Sequence, residues 1–93
     1  SALAPHKVDG GWQFSFRGAA QSVALAGDFN AWSTSANPLV KGTGDVWSIV
    51  VPLTAGDHQY KFVVNGSDWK PDPENAKSSD DGYGGKNSLV HVD

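Results

Sequence analysis

The sequence predicts an all-β fold, an antiparallel sandwich of two sheets built from about seven short strands. Three observations lead there. Apolar residues alternate with polar ones along most of the chain, a period of two rather than the helical 3.6. Eleven glycines and five prolines cut these runs into short pieces. No segment carries the spacing of an amphipathic helix, so each half-apolar sheet has only another sheet to bury its face against.

The strands follow in order. Trp12, Phe14 and Phe16 alternate with Gln13, Ser15 and Arg17, and Gly18-Ala19-Ala20-Gln21 turns the chain. Val23 to Ala26 is a short apolar strand, and Pro38 to Lys41 is an edge piece starting at its proline. Gly42-Thr43-Gly44-Asp45 is a turn. Along Val46 to Leu53, Trp47, Ile49, Val51 and Leu53 share one face. Thr54-Ala55-Gly56-Asp57 reverses the chain into a strand whose His58, Tyr60, Phe62 and Val64 face one way and Gln59, Lys61 and Val63 the other. Asn65-Gly66 turns again, residues 70–87 read as one long polar loop, and Ser88 to Val92 is the last strand. With 93 residues the chain is expected to be a single domain, 1–93, whose first residues, about 1–9, are a linker or disordered start.

Composition narrows the function. The chain is far shorter than the about 250 residues of a barrel hydrolase. Its formal charge is −3, and its seven Lys and Arg are scattered, which argues against nucleic acid as a partner. No run is long or apolar enough for a membrane span or a signal peptide, so no membrane partner is expected. Cysteine is absent, which removes disulfides and thiolate chemistry.

Catalytic patterns are missing. Nearly all the acids lie in turns, where Asp bonds its own backbone, and none forms the flanking pair that glycoside hydrolysis needs. His6, His58 and His91 have no partner at metal-ligand spacing. Asp80-Asp81-Gly82 resembles a fragment of a calcium loop without its remaining ligand positions. No metal or cofactor is therefore expected, and no enzymatic activity.

The aromatics are more informative. Trp12 and Trp47 alternate with other large apolar residues and read as core. Trp32 and Trp69 lie in polar turns just beyond strands, within Gly27-Asp28-Phe29-Asn30-Ala31-Trp32-Ser33 and Asn65-Gly66-Ser67-Asp68-Trp69. Tyr83 stands between glycines in the long loop. Each ring alone reads as a plug of the core as readily as a ligand platform; several together favour a binding surface. Pyranose rings suit such a surface, because their C–H faces stack on aromatics while Asn, Gln and Lys take their hydroxyls. Lys61 lies on the strand face opposite Tyr60 and Phe62, with Gln59 beside it as a further hydrogen-bonding group. Phe29 is the better candidate for a plug in the Trp32 turn.

The stretch Val23 to Ser33 resembles the signature of family 48 carbohydrate-binding modules. The resemblance continues through Leu53 to Gly66, then Trp69, Asp72-Pro73 and Asn87 to Val92, nearly all of the chain beyond about residue 10. It implies an immunoglobulin-like sandwich that binds alpha-1,4-glucans such as glycogen, starch and maltooligosaccharides. By the same resemblance Trp32 and Trp69 are the two platforms, Lys61 and Asn87 bond sugar hydroxyls, and Tyr83 takes the place of a Leu that reaches into the curve of the glucan. Gly85 replaces a Thr, so one hydroxyl contact is lost. The function this implies is non-catalytic binding of alpha-glucan that targets a parent protein, an enzyme or a regulatory one, to polysaccharide. The alternative is a structural accessory domain that packs against a glycoside hydrolase domain without sugar affinity.

Overall fold

A computed structural model describes residues 3–93 of the chain. Nine strands are found among the described residues: β1 (His6–Val8), β2 (Gly11–Arg17), β3 (Val23–Gly27), β4 (Val40–Lys41), β5 (Val46–Val51), β6 (Gly56–Val64), β7 (Asp68–Lys70), β8 (Ser78–Asp80) and β9 (Lys86–Val92). They form two antiparallel sheets, one in the order β1-β2-β5-β4 and the other β3-β6-β9-β8, with β7 added to β6. No α-helix is found among the described residues; short 3-10 turns occupy Asp28–Asn30 and Thr43–Asp45. The all-β sandwich expected from the alternation is therefore the fold.

Three differences from the sequence expectation concern short exposed strands. Ser1 and Ala2 of the expected linker lie outside the described residues. Within its remainder, His6–Val8 pair with β2 in the register Lys7↔Trp12. Trp69 sits on β7 rather than in a turn, opposite Val63. The expected loop over 70–87 is broken by β8, whose Ser79 pairs with Asn87. These segments have too few apolar residues to show a period, and pairing with a neighbour makes them strands. Pro38 stands outside its strand and bridges Ala24 alone, as its missing N–H requires.

The core lies between the sheets. Phe14, Phe16, Trp47 and Val51 come from one, and Val23, Leu25, Tyr60, Phe62, Val64 and Val90 from the other. Aromatic rings interlock at its centre, with Phe14 edge-on to Tyr60 at 4.8 Å and Phe16 tilted against Phe62 at 5.3 Å. The Trp47 indole donates to the Gly18 carbonyl at 3.1 Å, so a buried ring keeps its polar atom satisfied. Trp12 packs against this core only partly buried.

Strand β6 organises the second sheet. Its residues 60–64 pair with β3 along one edge, while the other edge takes β9 along 56–60 and β7 along 62–64. Tyr60 points inward yet carries a hydroxyl. That hydroxyl donates to Asp72 at 2.6 Å and accepts from the Asn75 amide at 3.1 Å. Asp72 in turn takes the Glu74 backbone N–H, and its own N–H donates to the Ser88 hydroxyl. This buried polar cluster fastens the segment between β7 and β8 to the sheet. Burial raises both the Tyr60 and the Asp72 pKa, and the Tyr60–Asp72 bond works against that rise at Asp72.

Tyr60→Phe removes the donor and leaves the Asp72 carboxylate buried without it. The expected loss is about 1–3 kcal/mol of stability, read by urea unfolding with an unchanged denaturant slope.

Candidate functional site

Residues that pair directly across strands share a face of the sheet. Because Tyr60 and Phe62 point into the core, Gln59, Lys61 and Val63 point out. Trp69, opposite Val63, lies on the same outer face, as does Asn87, two residues before the Leu89 that pairs with Gln59. On the β3 side this face carries only Ala24 and Ala26, opposite Val63 and Lys61. Two small residues there leave a shallow step.

Trp32 fills that step. Its ring packs on Ala24, Ala26 and Val63, a small apolar cluster distinct from the core between the sheets. The turn that delivers it is tightly specified. Ala31 and Trp32 both adopt left-handed conformations, with φ of 57° and 59°, which non-glycine residues seldom do. Asn30 holds them there. Its side-chain oxygen accepts from the Gly27 and Ser33 N–H groups, and its amide donates to the Leu25 carbonyl and to Asn37. Gly27 has no alternative, since a Cβ there would stand 2.5 Å from the Phe29 ring and 2.7 Å from the Gln59 carbonyl. Phe29 dips toward the core, stacked on Phe14 at 6.2 Å, and is the plug that the sequence suggested.

The turn is also pinned to β6. Asp28 accepts from the Gln59 N–H at 3.0 Å and contacts the His58 ring at 3.1 Å. The other nitrogen of His58 faces the Thr54 carbonyl at 2.8 Å. Both ring nitrogens thus meet acceptors, an arrangement that only the imidazolium satisfies. The Thr54 carbonyl, ahead of Asp28, raises the His58 pKa above 6.5.

Trp32, Lys61, Trp69, Asp81, Tyr83 and Asn87 line one open cavity of about 400 Å³. Five of these are residues expected from the sequence. The sixth expectation, Gln59, is not on the wall; its side-chain oxygen accepts from the Asn87 amide at 2.9 Å and so orients that residue. Trp69 is 42% exposed and Tyr83 94%, whereas Asn87 is buried. The rings therefore offer stacking surface, and Asn87 a fixed polar group below it.

Asp81 is the wall residue that the sequence reading missed. One carboxylate oxygen accepts from the Lys61 ammonium at 2.7 Å. The other accepts from the backbone N–H groups of Tyr83 at 2.7 Å and Gly85 at 3.0 Å. The Lys61 hydrogen bond, then these two N–H groups, hold the Asp81 pKa down to about 2. Lys61 keeps two of its three donors for another acceptor. In the sequence Asp81 reads as a turn aspartate; the spacing to Tyr83 and Gly85 was the available signal. No group of three or more His, Cys, Asp or Glu able to hold a metal is found among the described residues.

A sandwich that gathers aromatic rings and amide, ammonium and carboxylate groups on one open sheet face has the make-up of a carbohydrate-binding module. Comparison with known proteins places it more closely. Residues 8–93 match the family model described as the glycogen recognition site of AMP-activated protein kinase, and the chain belongs to that family. The mouse, rat and human 5'-AMP-activated protein kinase subunit beta-2 are each 40% identical to it over 72 residues, 77% of this chain and 25% of theirs. The 1,4-alpha-glucan branching enzyme GlgB of Mycobacterium ulcerans (strain Agy99) is 46% identical over 50 residues, 53% of this chain and 7% of the enzyme. The chain thus spans about a quarter of the kinase subunits and a small part of the branching enzyme. Glycogen recognition is the function of the family.

The His58 contacts give the fold a pH dependence. A histidine whose pKa is raised on folding contributes stability that is complete below its ordinary value of 6.5 and is lost as pH rises through the raised one. His91 is raised in the same direction by Asp57, so a variant is needed to separate the two. Melting temperatures from pH 5 to 8 should fall in the wild type and fall less in His58→Gln.

Proposed function

We propose that this module binds alpha-1,4-glucan chains on the outer face of the β6 sheet without catalysing any reaction, and that it brings a larger enzyme or regulatory protein to polysaccharide. Trp32 and Trp69 stack on successive glucose rings. Asn87, oriented by Gln59, and the free donors of Lys61 bond sugar hydroxyls, and Tyr83 packs in the hollow of the curved chain. The observation that carries this reading is the gathering of Trp32, Lys61, Trp69, Tyr83 and Asn87 around one open cavity in a member of a glycogen-recognition family.

Physical chemistry supports the choice of ligand. A glucose ring presents C–H groups to an indole face and hydroxyls at its rim, and the cavity supplies rings above and polar groups below. The wall is open, which suits a polymer that enters and leaves sideways rather than a small molecule that must be enclosed. Fully exposed Tyr83 has little to gain from its place in the free protein and much from covering a sugar face.

Titration with maltoheptaose, followed by tryptophan fluorescence, tests the reading. Binding should lie between millimolar and micromolar, roughly −4 to −8 kcal/mol. Trp32→Ala should abolish it and leave the core signals of the fold in place, since that ring covers only the outer-face patch. No change at millimolar ligand would sink the reading and favour a structural accessory domain.

A further inference from the structure

We infer that Asp81 is the positioning residue of this site, the group that holds the Tyr83 loop in shape before any ligand arrives. The inference rests on the proposed binding face and adds to it a residue that the sequence resemblance did not supply.

The loop between β8 and β9 is five residues, 81–85, closed at its base by the pair Asp80↔Lys86. Its backbone is permissive, with Gly82 and Gly84 at φ of 84° and 86° on either side of Tyr83. Tyr83 is 94% exposed, so its own packing does little to order the loop. What orders it is backbone capture by Asp81. The Asp81 N–H donates to the Gly85 carbonyl at 3.2 Å, and its carboxylate takes the Tyr83 and Gly85 N–H groups on one oxygen. Three hydrogen bonds from one residue thus span the loop.

The other carboxylate oxygen reaches out of the loop. It accepts from Lys61, twenty residues back on β6, and the two side chains are only 14% and 11% exposed. This ion pair docks the loop onto the rigid sheet, so Tyr83 is placed relative to Trp32 and Trp69 rather than merely folded on itself. Asp80 does not serve in its stead. Its side chain is 81% exposed and engaged at 2.6 Å with Lys86, its own cross-strand partner at the base of the loop. Gly85 fits the same account, because a Cβ there would stand 2.7 Å from the Asp81 oxygen that holds Lys61. Lys61 consequently acts twice, as a donor left over for ligand and as the anchor of the finger that covers it.

Preorganisation of this kind raises affinity by removing the ordering cost from the binding step. If release of the loop leaves it competent a tenth of the time, apparent affinity falls about tenfold. The test uses the ligand-free chain first. Amide 15N relaxation should show Tyr83 and Gly85 as rigid as the strands in the wild type and mobile in Asp81→Ala. Asp81→Asn, which keeps an acceptor for the two N–H groups and loses the negative charge that faces Lys61, should fall between. Maltoheptaose affinity should then drop about tenfold in Asp81→Ala, and by much less when the same change is made in a Tyr83→Ala background. A loop that stays rigid in Asp81→Ala overturns the inference, and so does an equal affinity loss in both backgrounds, which would mean direct contact with ligand. If the wild type does not bind maltoheptaose, the proposed function fails, while the relaxation comparison still decides the role of Asp81.

Discussion

Tyr60 and Lys61 are neighbours in the chain and project to opposite faces of β6. Tyr60 closes the core against Phe14 and Phe62 and anchors Asp72; Lys61 stands on the outer face and anchors Asp81. A strand has no freedom to separate these tasks, because successive side chains must alternate. The geometry of the outer face is therefore set by the packing of the inner one. A slip of one residue in the pairing of β6 would bury the lysine and expose the tyrosine, and the core makes that slip prohibitive.

The same strand receives both elements that complete the outer face. From the β3 side comes the Trp32 turn, pinned through Asp28 to His58 and Gln59; from the β9 side comes the Tyr83 loop, pinned through Asp81 to Lys61. Each contains an unusual backbone conformation, Ala31 and Trp32 in one and Gly82 and Gly84 in the other, and each is held by a carboxylate bonded to β6. Short polar turns would otherwise leave a tryptophan and a tyrosine unplaced. Here aspartates at the base of each turn fix the rings relative to a rigid sheet, the preorganisation that a binding site needs.

The sequence was most legible where alternation is long. The strands around Phe14, Trp47 and Tyr60 stand out because each presents three or more large apolar residues on one face, and the core follows from them. The strands at His6, Asp68 and Ser78 left no such mark; each is three residues with at most one apolar side chain, and defined by its partner. At the candidate site, Trp32 and Trp69 were conspicuous because large rings are rare in polar turns. Asp81 was not, because a turn aspartate looks the same whether it bonds only its own loop or also a lysine across the sheet. That distinction depends on a contact twenty residues apart in sequence, which local pattern does not encode. Gln59 was read as a further hydrogen-bonding group because it shares a face with Lys61; in the fold its side-chain oxygen accepts from the Asn87 amide.

The central claim is that one face, carrying Trp32, Trp69 and Tyr83, takes the glucan. Intermolecular nuclear Overhauser effects on the chain saturated with maltoheptaose test it most directly. Cross-peaks from glucose C–H protons should appear to all three rings, with none to Trp12, which lines a separate cavity beside Leu89 and His91. Contacts confined to Trp12, or absent from both tryptophans of the outer face, would contradict it.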